Sequence, residues 1–142
     1  MNSADRPPLF VHRFTIGESV IDRNGHVNNV AYVKWMQDVA VEHSRAVMAN
    51  GSYRDSNTTW VARSHQIEYL KPAFVDEAIA VRTWLSGCRR VRCTRMYEFV
   101  RENDQVLLAR GQTDWVYVNA DTFRPLSIPD HIQRAFGLTV SD

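Results

Sequence analysis

The sequence predicts an α+β fold in which an antiparallel sheet curls around one long helix. Residues 20–48 begin as a polar turn and then run without Gly or Pro until Gly51, long enough for about five helical turns. From residue 59 the apolar pattern changes from helical to alternating. The strand-like segments are joined by short turns, so consecutive strands should pair antiparallel. Wrapping such a sheet on the helix buries the apolar face of both.

The composition indicates one domain, with residues 1–8 as a flexible lead-in and residues 9–142 as the folded unit. Hydrophobic residues make up 44% and charged residues 23%, which is typical of globular proteins. A formal charge of +1 gives no general attraction to nucleic acid or membrane. No segment reaches the ~20 apolar residues of a membrane span. Two cysteines, Cys88 and Cys93, are too few for a disulfide scaffold, so reduced thiols and a cytoplasmic location are expected.

The first strand is predicted over residues 9–16 from their β-branched and aromatic content. The polar turn then leads into the helix, which Asn28 or Asn29 should cap and Gly51 should end. Spacings of three and four along the helix predict a mostly apolar buried face, formed by Val33, Met36, Ala40, His43 and Val47. His43 on that face is expected to be a hydrogen-bonded core residue rather than a ligand.

A loop is predicted over residues 50–58, followed by strands over 59–70, 78–86, 91–101 and 105–119. Gly87 should open the turn between the second and third of these strands. Gly111 lies in the middle of the last strand on its apolar face, where the helix backbone is expected to come close. Pro129 suits the first turn of a short helix over residues 130–136.

The polar turn gathers a carboxylate, amides and an imidazole at the positive end of the helix. Its residues are Asp22, Asn24, His26, Asn28 and Asn29. Asp and Asn before a helix also form ordinary capped turns, because their side chains bond local amides. The first alternative is a reactive site, the second a structural turn, and for Asn28 and Asn29 capping is at least an equal role.

The pattern D-x-x-G-H-V-N-N-x-x-Y over residues 22–32 resembles the signature of thioesterases of the hydroxybenzoyl-CoA and acyl-CoA type. The runs IEYLKPA at 67–73 and VNADTFRP at 118–125 are similar to later motifs of the same family. The resemblance implies a hotdog fold, a five-stranded antiparallel sheet wrapped around one central helix. It also implies homodimers with active sites at the subunit interface, or homotetramers built from them.

The resemblance gives Asp22 the role of nucleophile or general base and the backbone amide of Asn29 that of polarising the thioester carbonyl. The spacing Asp22-x-Asn24-x-His26 also resembles the catalytic cluster of plant acyl-ACP thioesterases. Asn24 and His26 are therefore candidates to orient water or to bond the carbonyl, and the sequence leaves that choice open.

Five further residues are candidates for substrate binding: Asn28, Tyr32, His65, Arg89 and Arg90. Tyr32 and His65 are candidates to line an acyl pocket, although a structural role is favoured for each. Four arginines, Arg89, Arg90, Arg92 and Arg95, surround one turn. They suit the phosphates of coenzyme A or an acidic carrier protein, and a solvated face is the alternative.

The leading hypothesis is therefore a thioester hydrolase that acts on a small-molecule acyl-CoA, or on an acyl carrier protein, without metal or cofactor. The histidines are too scattered for a zinc site, and no nucleotide-binding loop or Gly-x-Ser-x-Gly motif occurs. One alternative is a non-catalytic module that binds acyl thioesters. Another is a hotdog dehydratase or hydratase. Neither nucleic acid nor a membrane is expected as a partner.

Overall fold

The computed structural model describes residues 9–48 and 57–140. Five strands and two helices make up this part of the chain, with a short 3-10 turn before the first helix. In chain order they are β1 (Phe10–Thr15), the 3-10 turn (Glu18–Val20), α1 (Asn29–Val47), β2 (Thr58–Tyr69), β3 (Ala78–Arg89), β4 (Arg92–Arg101), β5 (Val106–Asn119) and α2 (Asp130–Ala135). The lead-in predicted for residues 1–8, the helix end at Gly51 and most of the loop at 50–58 lie outside the described residues.

The strands form one antiparallel sheet in the order β1-β3-β4-β5-β2, with α1 packed against its inner face. This confirms the predicted α+β architecture of five antiparallel strands around one long helix. β3 is three residues longer than predicted because Gly87 does not open the turn. The strand bulges between Leu85 and Gly87 and continues to Arg89, and Arg90 turns the chain at φ +57°.

The buried face of α1 centres on Tyr32, Met36, Val39 and His43, which recur every three or four residues. Val33 and Val47, which we expected on that face, are half-buried at its sides. Asn28 caps the helix, as one of the two alternatives predicted. The helix ends at Val47, within the described residues.

Gly111 contacts α1 closely, but the contact is with a side chain rather than with the helix backbone. A Cβ atom at Gly111 would lie 3.1 Å from Cε of Met36 and 3.1 Å from the backbone oxygen of Gln66. The absence of a side chain at Gly111 therefore makes room for Met36, which is fully buried. The predicted close contact at Gly111 was right, but its partner is the side chain of Met36 and not the helix backbone.

Cys88 and Cys93 form a disulfide, so the expectation of reduced thiols was wrong. The two residues face each other across the β3–β4 hairpin with their Cα atoms 4.1 Å apart. Neighbouring strands bring such pairs close whatever the number of cysteines in the chain. The cytoplasmic location, which relied partly on free thiols, stays a prediction.

Candidate active site

The polar turn before α1 is closed by backbone hydrogen bonds. Ile21 and Val27 form an antiparallel bridge, and the amide of Asp22 donates to the carbonyl of His26 at 2.9 Å. Gly25 occupies the left-handed region at φ +83°, which glycine adopts without strain. The turn therefore holds Asp22 and His26 opposite each other.

The carboxylate of Asp22 uses its two oxygens differently. Oδ1 accepts the amide hydrogen of Asn24 at 2.9 Å, as in an ordinary Asx turn. Oδ2 lies 3.9 Å from Nδ1 of His26, and the two side chains are 30% and 35% exposed. One oxygen thus braces the turn, while the other faces an imidazole at the protein surface.

Asn28 ties the turn to the helix. Its Oδ1 accepts from the amide of Ala31 at 2.9 Å, which caps α1. Its Nδ2 and its backbone amide both donate to the carbonyl of Val20, each at 2.9 Å. A single side chain therefore fixes the first turn of α1 to the segment that enters the polar turn.

The first amides of α1 are potential donors to a ligand. The amides of Asn29 and Val30 lie in the first turn, where helix geometry provides no carbonyl four residues earlier. Both residues are exposed, Val30 to 76%. Amides at this end of a helix suit a negative oxygen, because the helix dipole adds to their hydrogen bonds.

Tyr69 is a member of this site that the sequence did not single out. Its hydroxyl donates to the carbonyl of Asn29 at 2.9 Å, across from β2. Burial raises its pKa above the ordinary tyrosine value, which keeps the hydroxyl a donor. Tyr69 lies in the motif at 67–73, and that position was the sequence feature that could have identified it as a site residue.

The predicted binding residues do not all converge on this turn. Tyr32 is buried against Trp35, Tyr69 and Phe99, and burial, followed by Tyr69 and Glu77, raises its pKa to about 12. His65 lies further along β2, where Nδ1 is 2.8 Å from Oγ1 of Thr113. His65 lies on the inner face of the sheet, and Tyr32 packs against that face from α1.

Arg89 and Arg90 lie at the opposite end of the sheet from Asp22. The eleven residue steps of β3 from Ala78 to Arg89 separate them from the end near the turn, about 36 Å along the strand at about 3.3 Å per residue. Within one chain these arginines and the polar turn are therefore separate features.

Arg95 does not belong to the exposed arginine cluster that we expected. Its side chain points to the inner face of β4, and the residue is only 3% exposed. The reason is the alternation of the strand, because Cys93, Tyr97 and Phe99 share that face and are buried with it.

A cleft of about 430 Å³ opens on the other side of α1, towards β1. Phe14 and Trp35 lie in its apolar part, and His12 pairs with Glu42 at 3.0 Å on its polar side. None of the site residues predicted from the sequence lines it.

In the described ranges, no three His, Cys, Asp or Glu side chains are grouped as metal ligands would be. No helix found there has the length and apolar character needed to cross a bilayer.

The family model of the thioesterase-like superfamily matches residues 16–136, from the end of β1 to the end of α2. The chain belongs to this superfamily. The match includes the polar turn, α1 and every strand from β2 to β5, and it confirms the thioesterase resemblance of the turn motif. No curated protein sequence matches the chain significantly.

Solved thioesterase structures share the fold. A 1,4-dihydroxy-2-naphthoyl-CoA thioesterase from Synechocystis superimposes with a TM-score of 0.79 at 16% identity, over 92% of this chain and 96% of the other. The dynemicin thioesterase gives 0.80 at 20% identity, over 94% and 100%. A hypothetical protein from Staphylococcus aureus, solved in complex with CoA, gives 0.79 at 18%, over 92% and 83%. The superfamily member described here therefore has the hotdog fold.

Proposed function

We propose that this protein hydrolyses an acyl-CoA thioester to a free acid and a thiol, with Asp22 and the first amides of α1 as its reactive centre. The observation that carries the proposal is the tether through Asn28. It fixes the first turn of α1 to Val20, two residues before the half-buried carboxylate of Asp22. Membership of the thioesterase-like superfamily supports the same reaction.

The chemistry requires an activated oxygen and donors for the developing oxyanion. As general base, Asp22 accepts a proton from the water that attacks the thioester carbon. As nucleophile, it forms a mixed anhydride that water then cleaves. In either case the carbonyl oxygen becomes negative beside the Asn29 amide, and the C–S bond breaks to release the thiolate, which takes up a proton.

Asn24 and His26 have different positions in this scheme. Nδ1 of His26 lies 3.2 Å from the carbonyl oxygen of Val27 and 3.9 Å from Oδ2 of Asp22, so the imidazole is suited to orient the carboxylate or the attacking water. The amide of Asn24 holds Oδ1, while its exposed side chain is suited to contact the substrate. Tyr69 fixes the carbonyl of Asn29 and so orients the first peptide units of α1.

A homodimer would bring further groups to the site. β2 is an edge strand with exposed residues along most of its length, and pairing it with β2 of a second copy would close that edge. Antiparallel pairing would turn the far end of one sheet towards the polar turn of the other. Arg89 and Arg90 of a second copy would then be suited to coenzyme A phosphates, and a CoA complex of a related fold supports this ligand.

A thiol-release assay over short, long and aromatic acyl-CoAs tests the proposal. Asp22→Asn and Asp22→Ala should lower turnover about a hundredfold or more, the scale of losing one group that acts in the transition state. Asp38→Asn is the matched control, because Asp38 is an exposed carboxylate on α1 that pairs with Lys34. Its turnover should stay at the wild-type level.

The same assay identifies the rival functions. Tight acyl-CoA binding without thiol release would contradict hydrolysis and indicate a binding module. Hydration of an enoyl-CoA without free thiol would indicate a hydratase. Turnover of acyl carrier protein thioesters in preference to CoA thioesters would change the carrier but keep the reaction.

A further inference from the structure

A buried cation lies on the inner face of the sheet, away from the polar turn. The guanidinium of Arg95 donates to Nδ1 of His43 at 2.8 Å and to Oγ1 of Thr83 at 3.1 Å. Its Cζ atom lies 5.7 Å from the ring centroid of Phe136. Among the described residues, no Asp or Glu pairs with it. Buried charges in proteins are normally paired, so an arginine held only by neutral groups is unusual.

Arg95 Nε is buried and has no hydrogen-bond partner among the described residues. Tyr97 Oη and Trp115 Nε1 are also buried and lie beside each other and Thr113, without well-aligned hydrogen bonds. Tyr97 is 1% exposed, and burial raises its pKa, while hydrogen bonding with the side chains of Thr113 and Trp115 and the charge of Arg95 oppose that rise. A buried polar group without a good hydrogen bond is unfavourable. Because buried donors outnumber acceptors around Arg95, this place suits an additional acceptor.

The cluster is rich in donors and poor in acceptors. Guanidinium and indole groups only donate hydrogen bonds, so Nδ1 of His43 must accept from Arg95. Burial and the charge of Arg95 lower the pKa of His43 to about 4, which keeps the imidazole neutral at pH 7. Burial lowers the pKa of Arg95 only to about 10, so the cation persists. A carboxylate, which accepts several hydrogen bonds and can bind a guanidinium through both oxygens, suits this set of groups.

The cluster lies along α1 from the proposed reactive centre. Asn29 and His43 are fourteen positions apart on the helix, about 21 Å at about 1.5 Å per residue. Between them, the flexible side chain of Met36 packs over Gly111. An unbranched Met beside a residue without a side chain is where the space between helix and sheet can open most easily.

We propose that this group of residues, the Arg95 cluster, binds the distal carboxylate of a long acyl chain. The cluster consists of Arg95, Tyr97 and Trp115, with His43, Thr83 and Thr113 around them. The substrates would then be ω-carboxyacyl thioesters, with the thioester at the start of α1 and the second carboxylate at Arg95. The inference rests on the proposed function for its reaction, but the carboxylate site can be tested without it.

Calorimetric binding of two free acids of equal length tests the site directly. Hexadecanedioic acid should bind at least about tenfold more tightly than hexadecanoic acid, because the donors around Arg95 would hydrogen-bond the charged second carboxylate. A purely apolar channel would give the opposite order, since burying a second carboxylate is unfavourable there. Equal or inverted affinities would overturn the proposal.

Three variants test which residues produce the preference for the diacid. Arg95→Met should abolish the preference for the diacid. Tyr97→Phe should lower it about tenfold while the fold is kept, because the hydroxyl has only poorly aligned contacts, with Thr113 and Trp115, to lose. Arg82→Met is the matched control, since Arg82 pairs with Glu98 on the other face of the sheet and should leave the preference unchanged. If Arg95→Met does not fold, the Tyr97→Phe result decides, and an unchanged preference in that variant overturns the site.

Hydrolysis of the matched CoA thioesters separates this inference from the proposed function. Diacid selectivity that depends on Tyr97, found in a protein that cleaves no thioester, would support the carboxylate site and contradict the hydrolase. Cleavage of palmitoyl-CoA in preference to its ω-carboxy analogue, unaffected by Arg95→Met, would support the hydrolase and overturn the site.

Discussion

Asn28 makes two kinds of contact that substitutions can separate. Asn28→Asp keeps the oxygen that caps α1 and loses the Nδ2 donor to Val20, whereas Asn28→Ala loses both. We expect Asn28→Ala to lower the free energy of unfolding by about 1–2 kcal/mol, the usual value of a lost cap. Asn28→Asp should lose less stability than Asn28→Ala, but the two variants should lower turnover by a similar factor.

Urea unfolding and thiol release on the same preparations measure the two effects. The wild-type Asn24 side chain is exposed, so Asn24→Ala serves as a control for stability and should change the free energy of unfolding little. Wild-type turnover in Asn28→Asp would show that the tether to Val20 has no part in catalysis.

His43 predicts a loss of stability in acid. Its pKa is about 4 in the folded protein and 6.5 in the ordinary imidazole, so the unfolded chain binds the additional proton between these values. The free energy of unfolding contributed by His43 is therefore fully present above pH 6.5 and falls as the pH drops towards 4. By linkage, the loss is on the order of 3 kcal/mol.

Urea unfolding at pH 7 and pH 5 checks this prediction against His43→Gln, which keeps an acceptor for Arg95 but does not titrate. The decrease between the two pH values should be larger in the wild type than in the variant. Equal decreases would mean that other groups account for the acid sensitivity.

The rate should also fall in acid if Asp22 is the base. A protonated carboxylate cannot accept a proton from water, so kcat/KM should decline on the acid side as one group titrates. A pH–rate profile measures it, with Asp22→Ala as the comparison. An unchanged acid limb in an active Asp22→Ala enzyme would assign the titration to another residue.

Among single residues, those of the turn motif were predictable and the buried arginine was missed. Asp22, His26 and Asn28 were found because their types and spacing identify a turn before a helix. Arg95 was grouped with the exposed arginines by proximity in sequence. Arg95 is two residues from Cys93 and from Tyr97 and four from Phe99, so the period-two pattern of a strand puts it on the same buried face as these residues.

The contact between α1 and β5 depends on Gly111. Gly111→Ala would place a Cβ against the Gln66 carbonyl, which is held in the ladder between β2 and β5. Met36 can move, but this carbonyl cannot. We expect a loss of about 1–2 kcal/mol in the free energy of unfolding, within the range of overpacked cores.

Gly87→Ala is the matched control for this substitution. Gly87 lies in β3, where an added Cβ would have no atom of the described residues within 4 Å, so its replacement should be neutral or slightly stabilising. Chemical denaturation of both variants measures the difference. A stabilised Gly111→Ala protein would show that helix and sheet have spare room at Met36.

The strands and the long helix were predictable because apolar residues recur with different periods in the two kinds of element, and few Gly or Pro residues interrupt these patterns. The continuation of β3 through Gly87 was not, because a bulge and a turn both use glycine and only strand pairing distinguishes them. The Cys88–Cys93 bond was not predictable either, since it depends on the register of β3 against β4.

The protein is expected to form a homodimer through β2. Each chain has a mass of 16.4 kDa, and light scattering should give about twice that value. Val61→Lys adds a charge to the exposed edge strand and should shift the monomer–dimer equilibrium towards the monomer. Turnover should fall as the fraction of dimer falls. Val41→Lys is the control, because Val41 is similarly exposed but lies on α1. A monomeric wild type with full activity would contradict the interface.

The tether through Asn28 has a consequence for the time course of the reaction. Carboxylate and amide donors that are already fixed to one another need no rearrangement when an acyl group arrives, so binding loses no free energy to assembling them. Product should then form in the first turnover without a lag. Discrimination among acyl groups would be left to the far end of the acyl chain, where the helix and the sheet must part to admit it.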